Sequence, residues 1–257
     1  MQQSWNDEMK TKIRLVRTRG AYELYIKRIL DIICSLSAII VFSWLYIIIA
    51  FLVRVKLGTP ILFKQLRPGM IDEKTGRERF FYMYKFRSMS NEKDKNGNLM
   101  PDEIRLGKFG KALRATSLDE LPEVFNILKG DMSIVGPRPQ LIRDMVFMTA
   151  VQRMRHTAKP GLSGLAQING RNDISWEDKL DWDLKYIENV NFLDDLKIIL
   201  KTVLKVFVTQ EGITSEDMAT SYDYGDWLLK KEKISEEEYE ERMEEAKNLQ
   251  REWECIY

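Results

Sequence analysis

Asp119 and Glu120 stand side by side near the head of SLDELPEVFNILKGDMSIVGPRP (Ser117–Pro139), and Lys129, Gly130, Gly136, Pro137, Arg138 and Pro139 follow within the same segment. Two carboxylates beside cations and tight turns suit phosphoryl chemistry, in which a divalent ion and basic side chains hold phosphate oxygens while a nucleophile attacks phosphorus. A carboxylate can be that nucleophile when Mg²⁺ offsets its repulsion from the phosphate and stabilises the leaving group. Adjacent helical side chains diverge by about 100°, so the pair is expected to divide labour, one attacking and the other holding metal. Lys85, Arg87 and Arg138 are candidate clamps, arginine through its bidentate fork. The same letters also carry a structural reading: Ser117 to Glu120 spells a capping box, and Asp119 can cap a helix ahead of Pro122.

Other chemistries find less support. Only Cys34 and Cys255 occur, which excludes a disulfide framework and a thiolate zinc site. The single histidine, His156, lies in QRMRHTAKPG without a serine or cysteine partner motif, so triad hydrolysis and histidine-rich metal sites are not indicated, and a structural role is expected.

These side chains must be held near a lipid surface. From Ile32 to Val53 no charged residue occurs, and as a helix this run reaches roughly 30 Å, about one hydrocarbon thickness. It starts late and lacks a small-residue cleavage pattern, unlike a secretory signal. Lys27 and Arg28 precede it and Arg54 and Lys56 follow it, so charge assigns no orientation. A single-pass anchor and a kinked helix returning to the same face both remain open. Asp31 is placed to pair with Lys27 one turn away. The net charge of +1 conceals a basic front and a glutamate-rich tail, a distribution that suits an anionic membrane surface rather than nucleic acid.

With 257 residues the chain can build one sizeable core plus appendages. Residues 1–26 form a basic N-terminal segment, 27–57 the membrane helix, 58–210 the catalytic body, and 211–257 a linker with an acidic amphipathic helix. Turns at Arg67-Pro68-Gly69 and Lys74-Thr75-Gly76 separate apolar runs around ILFKQ and FFYMYKF, giving two strands in a hairpin. Helices are expected at Leu106–Ala115, Leu118–Leu128, Leu141–Arg155, Trp176–Glu188 and Leu193–Phe207. The fold class is therefore predominantly α with a small β element (α+β). Between the helices, KPGLSGLAQINGRN (Lys159–Asn172) breaks at its glycines and proline. Its Gln167, Asn169 and Arg171 can read a base or sugar, or the segment can be a plain turn. In the tail, Ser235 opens a capping box, and Tyr239, Met243, Ala246, Leu249 and Trp253 recur at helical spacing as a stripe available for self-association.

Taken together, KRILDIICSLS, PILFKQLRPG, MYKFRSM, SLDELPEVFNILKGDMSIVGPRP, KPGLSGLAQINGRN and FLDDLKIILKTV resemble, in order, the bacterial sugar transferases, monotopic phosphoglycosyl transferases that act on polyprenyl phosphate. The compact length is most similar to the small PglC-like members. The resemblance implies that Asp119 takes a phosphosugar from a UDP-sugar with release of UMP, and that polyprenyl phosphate then collects it. It implies Glu120 as the Mg²⁺ ligand, Arg114 and Arg138 near the substrate phosphates, and the Lys159–Asn172 loop on the nucleotide side. It also implies a re-entrant membrane helix and a catalytic domain on the cytosolic face of the bacterial inner membrane. One departure stands out: the family's Ser-Pro break is Ser43-Trp44 here, which removes the most direct cause of a kink. A noncatalytic membrane scaffold whose carboxylates only cap a helix is the alternative.

Overall fold

The computed structural model describes residues 19–170, 174–205 and 222–256. A wide turn at Tyr22–Ile26 leads into α1 (Lys27–Val41), which breaks at Phe42 and resumes as α2 (Ser43–Leu57). The two are bent by 64°, and among the described residues no single helix is long and apolar enough to cross a membrane. No proline makes this bend. Phe42 leaves helical geometry (φ −97°, ψ 10°) because both arms are tied to the same body.

The tie on α1 is polar. Arg28 donates to the carbonyls of Ile127 and Leu128 at 2.6 and 2.7 Å, Lys27 pairs with Asp195, and Asp31 accepts from Ser133 Oγ and the Ile134 amide, both at 3.0 Å. The Lys27–Asp31 pair expected from their spacing gives way to these longer-range partners, which satisfy each buried charge on the body. On α2 the tie is mainly apolar: Ile49 and Val53 bury against Phe86 and Leu113, each fully buried aliphatic side chain contributing about 1.5–3 kcal/mol. Tyr46 adds a hydrogen bond to the Leu121 carbonyl at 2.7 Å. Between the ties the tip is bare, with Ile40 72% and Ile47 71% exposed and Val41, Phe42 and Trp44 beside them.

The hairpin forms as expected, β1 (Leu62–Ile71) antiparallel to β2 (Glu78–Phe86). Then α3 (Lys108–Ala115) packs on the body. The helix expected over Leu118–Leu128 is divided into a 3₁₀ turn at Leu118–Glu120 and α4 (Glu123–Lys129), because Pro122 can begin a helix but cannot continue one. A second, parallel pair, β3 (Ser133–Val135) with β4 (Gly161–Ser163), was not evident in the sequence. Its backbones touch so closely that a Cβ on Gly136 would lie 2.2 Å from the Lys159 carbonyl oxygen. The helix expected over Leu141–Arg155 is also divided, since Thr149 starts a new cap with its Oγ accepting from the Gln152 amide.

Next come α5 (Trp176–Glu188) and α6 (Phe192–Leu204). Beyond the undescribed residues 206–221, α7 (Tyr224–Lys230) and α8 (Glu236–Ile256) return to the body. The stripe of α8 is engaged within the chain rather than left for self-association. Ala246, Leu249 and Trp253 pack with Leu66, Ile142, Met145 and Val146, and Tyr239 stacks on Phe147.

His156 is structural, as expected. Arg155 can only donate, so its 3.3 Å contact makes His156 Nε2 the acceptor and leaves Nδ1–H for Glu78 Oε1 at 3.1 Å. Burial pushes this imidazole down to about 4 despite Glu78, the arginine charges adding to the push. The unfolded chain, with a histidine near 6.5, binds the proton first, so this contribution to stability is whole above pH 6.5 and is lost as pH falls towards 4. His156→Gln should flatten the fall of thermal stability across that window; a slope equal to wild type would contradict the assignment.

Candidate active site

Three segments converge on one carboxylate oxygen. Strand β2 alternates its side chains, so Tyr84 and Phe86 face one way and Lys85 the other. Lys85 Nζ and Arg138 Nη2 both reach Glu120 Oε1 at 2.7 Å. Lys85 also lies 3.2 Å from Glu123 Oε1, an ion-pair distance without an aligned hydrogen bond. Glu123, 2% exposed, is a third carboxylate that the sequence reading passed over, although its spacing of three from Glu120 was the available signal.

The turn carrying Asp119 is fixed from both sides. Ser117 adopts left-handed geometry (φ 54°, ψ 18°), uncommon for a residue with a Cβ. Neither the 3₁₀ turn nor α4 carries a side-chain cap, so the capping reading of Ser117–Glu120 is not realised. On the far side, fully buried Asn126 ties α4 to β2, accepting from the Tyr84 amide at 3.1 Å and donating to the Tyr82 carbonyl at 2.7 Å.

Electrostatics then separate the two carboxylates. Burial pushes Asp119 up to about 6, and the neighbouring Glu120 charge adds to this, against Lys85, Arg114 and Arg138. Burial acts on Glu120 in the same sense, but there Arg138 and Lys85 outweigh it and hold the carboxyl well below the usual range. Near neutral pH Glu120 is a fixed anion and Asp119 is ionised but poorly solvated, a pairing suited to a nucleophile beside an electrostatic anchor.

The remaining expected residues divide. Arg114 lies close enough to Asp119 to act on its charge and is steadied by Ser88 Oγ at 2.9 Å. Gln167 joins the site: with Ser117, Glu120, Ser163 and Thr202 it lines a cavity of about 290 Å³. Its Nε2 donates to the Leu162 carbonyl, and its Oε1 is buried without a hydrogen-bond partner. Asn169 is exposed and closes its own turn onto the Leu165 carbonyl. Arg171 lies outside the described residues. Arg87, expected as a phosphate clamp, is committed elsewhere: buried at 5% exposure, it donates to the carbonyls of Leu57 and Thr59 and fastens the end of α2.

The carboxylate oxygens are hard donors that suit Mg²⁺, an ion that is usually held by one or two carboxylates, water and substrate phosphates. Lys85 and Arg138 both fall on Oε1 of Glu120. Among the described residues no group of three or more His, Cys, Asp or Glu is placed to hold a metal ion.

Behind Arg138 lies a buried support with no local sequence signal. Arg155 donates through Nε and Nη2 to Asp183 Oδ2 at 2.9 and 2.6 Å, and its Nη2 also reaches the Arg138 carbonyl at 2.6 Å.

The family model for bacterial sugar transferases matches residues 22–209, and the chain belongs to that family. It is 44% identical over 198 residues to the uncharacterized sugar transferase EpsL of Bacillus subtilis, covering 77% of this chain and 95% of that protein. It is 40% identical over 196 residues to a UDP-glucose:undecaprenyl-phosphate glucose-1-phosphate transferase of Klebsiella pneumoniae, covering 72% of this chain and 41% of the relative. A UDP-N-acetylgalactosamine-undecaprenyl-phosphate N-acetylgalactosaminephosphotransferase of Aeromonas hydrophila is 36% identical over 191 residues, covering 70% and 43%. The chain thus spans about two fifths of the length of the latter two relatives.

The supporting and reacting cations should separate in stability measurements. Arg155→Met leaves Asp183 charged and buried and should cost about 3–5 kcal/mol. Arg138→Gln removes a side chain that is 36% exposed and leaves Lys85 on Glu120, so it should cost under about 1 kcal/mol. Equal losses on denaturation would contradict this division.

Proposed function

We propose that this chain transfers a sugar 1-phosphate from a UDP-sugar to polyprenyl phosphate, giving polyprenyl-diphosphate sugar and UMP in two displacements through Asp119. The observation that carries the reading is the separation of the carboxylates: Glu120 clamped between Lys85 and Arg138, and Asp119 buried beside it with no ion pair to a cation among the described residues. The printed activities of the Klebsiella and Aeromonas relatives, each a sugar-phosphate transfer to undecaprenyl phosphate, support the same reaction class.

In the first displacement an Asp119 carboxylate oxygen bonds to the sugar-bearing phosphorus as the bridging P–O bond breaks and its electron pair leaves with UMP. In the second, a phosphate oxygen of the acceptor attacks the same phosphorus, and the acyl-phosphate P–O bond breaks to restore the carboxylate. No proton need move to Asp119 in either step. Arg138 and Lys85 hold Glu120, and Arg114 and Arg138 offset charge on the phosphates. Glu120 would hold Mg²⁺, which when bound would supply charge neutralisation at the leaving group. Gln167 presents its buried acceptor to an N–H group of the donor.

The acceptor is a lipid, and α1 and α2 fit that role. Both arms return to one body with a bare apolar tip between them, a geometry suited to insertion in one leaflet with the site at the interface. This supports a monotopic enzyme on the cytosolic face of the bacterial inner membrane.

Purified protein with Mg²⁺, polyprenyl phosphate and a panel of UDP-sugars should release UMP from at least one donor. Asp119→Asn should lower that release by about 10³-fold or more, as expected when the attacking group of a covalent mechanism is lost. An unchanged rate in the variant would overturn the assignment of Asp119.

A further inference from the structure

A groove of about 540 Å³, the size of a small-molecule pocket, lies between α2 and the face of β2 opposite Lys85. Tyr46, Ala50, Leu62, Tyr84, Phe86 and Phe125 wall it, exposing only apolar atoms. We propose that this groove binds the isoprenoid chain of the polyprenyl phosphate acceptor next to its phosphate; the inference rests on the reaction proposed above.

Four observations favour that occupant. The lining offers no hydrogen bond, so a nucleotide or sugar would lose its hydration without compensation. The groove is continuous with the bare tip, since Ile47, 71% exposed, forms part of both. Lys64 Nζ and Lys129 Nζ stand 5.7 and 5.5 Å from the centre of the Tyr84 ring, placing cations beside an apolar slot, the complement of an anionic lipid rather than a neutral one. Finally, Pro122 is part of the wall and lies three residues from Asp119. A chain lying in the groove therefore ends within one turn of backbone of the carboxylate that its phosphate must reach.

The walls are held in place by contacts outside any reaction. The Tyr46 hydroxyl donates to the Leu121 carbonyl, and its ring meets Phe125 edge-on at 5.6 Å. Strand β2 separates the groove from Glu120, so acceptor chain and donor cavity lie on different sides of the same strand. That arrangement lets UMP leave on the donor side without displacing the lipid chain.

The test uses the full chain in nanodiscs with a diazirine-bearing polyprenyl phosphate. Photolysis should label peptides covering Ser43–Leu57 and Leu62–Phe86, with labelling suppressed by unlabelled polyprenyl phosphate and not by phosphatidylglycerol. Leu62→Trp, at a 39% exposed edge position, should lower the label and raise the acceptor KM about tenfold, the effect of withdrawing roughly two CH₂ groups from burial, with donor KM unchanged. Phe125→Ala should act in the same direction by opening the wall. Equal competition by phosphatidylglycerol would make the groove an ordinary acyl-chain site, and labelling confined to other peptides would place the chain elsewhere; either overturns the proposal. Labelling does not need turnover and should persist in Asp119→Asn, so absence of UMP with groove labelling intact would count against the reaction and not against the groove.

Discussion

Glu120 Oε1 accepts from Lys85 on β2 and from Arg138 on the loop after β3, while the backbone of Glu120 belongs to the turn that carries Asp119. One oxygen thus fixes the relative positions of three segments distant in sequence. Its worth lies less in net stability than in placement, since a partly buried ion pair recovers little beyond its desolvation cost and the loss of one cation leaves the other at the same oxygen. Around it the chain adds rigid supports: Asn126 pins α4 to β2, and Arg155, held by Asp183, takes the Arg138 carbonyl. Burial first and the Glu120 charge second outweigh Lys85, Arg114 and Arg138 at the adjacent Asp119, and its carboxyl rises to about 6.

The same economy of contacts governs the bent pair α1 and α2. Lys27, Arg28 and Asp31, charges that would be costly in lipid, all turn inward to the body, and Arg28 meets the carbonyls at the end of α4, where a cation is favoured. Arg87 does the same for the end of α2. The bend at Phe42 follows from this double anchorage, which explains how the arms return together with Trp44 standing where the family commonly has proline. The Asp119 turn and the bare apolar tip are coupled physically through α4, whose first turn follows Asp119 and whose last carbonyls hold α1.

The sequence was most legible where local patterns act alone. Apolar residues bounded by cations marked Lys27–Leu57, and helical periodicity marked Trp176–Glu188, which the structure reproduces residue for residue. The β1–β2 hairpin was legible from its turn residues. It was less legible where one residue interrupts a pattern: Pro122 and Thr149 each end a helix that hydrophobic spacing would continue. The site was legible in composition but not in partnership. Asp119, Glu120, Arg138, Lys85 and Gln167 come together, whereas Arg87, in the same MYKFRSM segment as Lys85, lies just past the end of β2 and is drawn to the carbonyls of Leu57 and Thr59 at the end of α2. Arg155 and Asp183 carried no local signal, since a buried pair separated by 28 positions exists only once the fold brings them together. The α8 stripe was read correctly as apolar, and its partner proved to be the chain's own hairpin and the Ile142–Met145 turn.

A covalent bond between Asp119 and a phosphosugar is the step on which the proposed reaction depends. The most direct measurement is mass spectrometry of the protein incubated with a UDP-sugar and no lipid acceptor, rapidly quenched and digested. The peptide containing Asp119 should gain the mass of one sugar phosphate less water, and the gain should disappear on addition of polyprenyl phosphate. An unmodified peptide under conditions in which UMP accumulates, or the added mass on any residue other than Asp119, would contradict it.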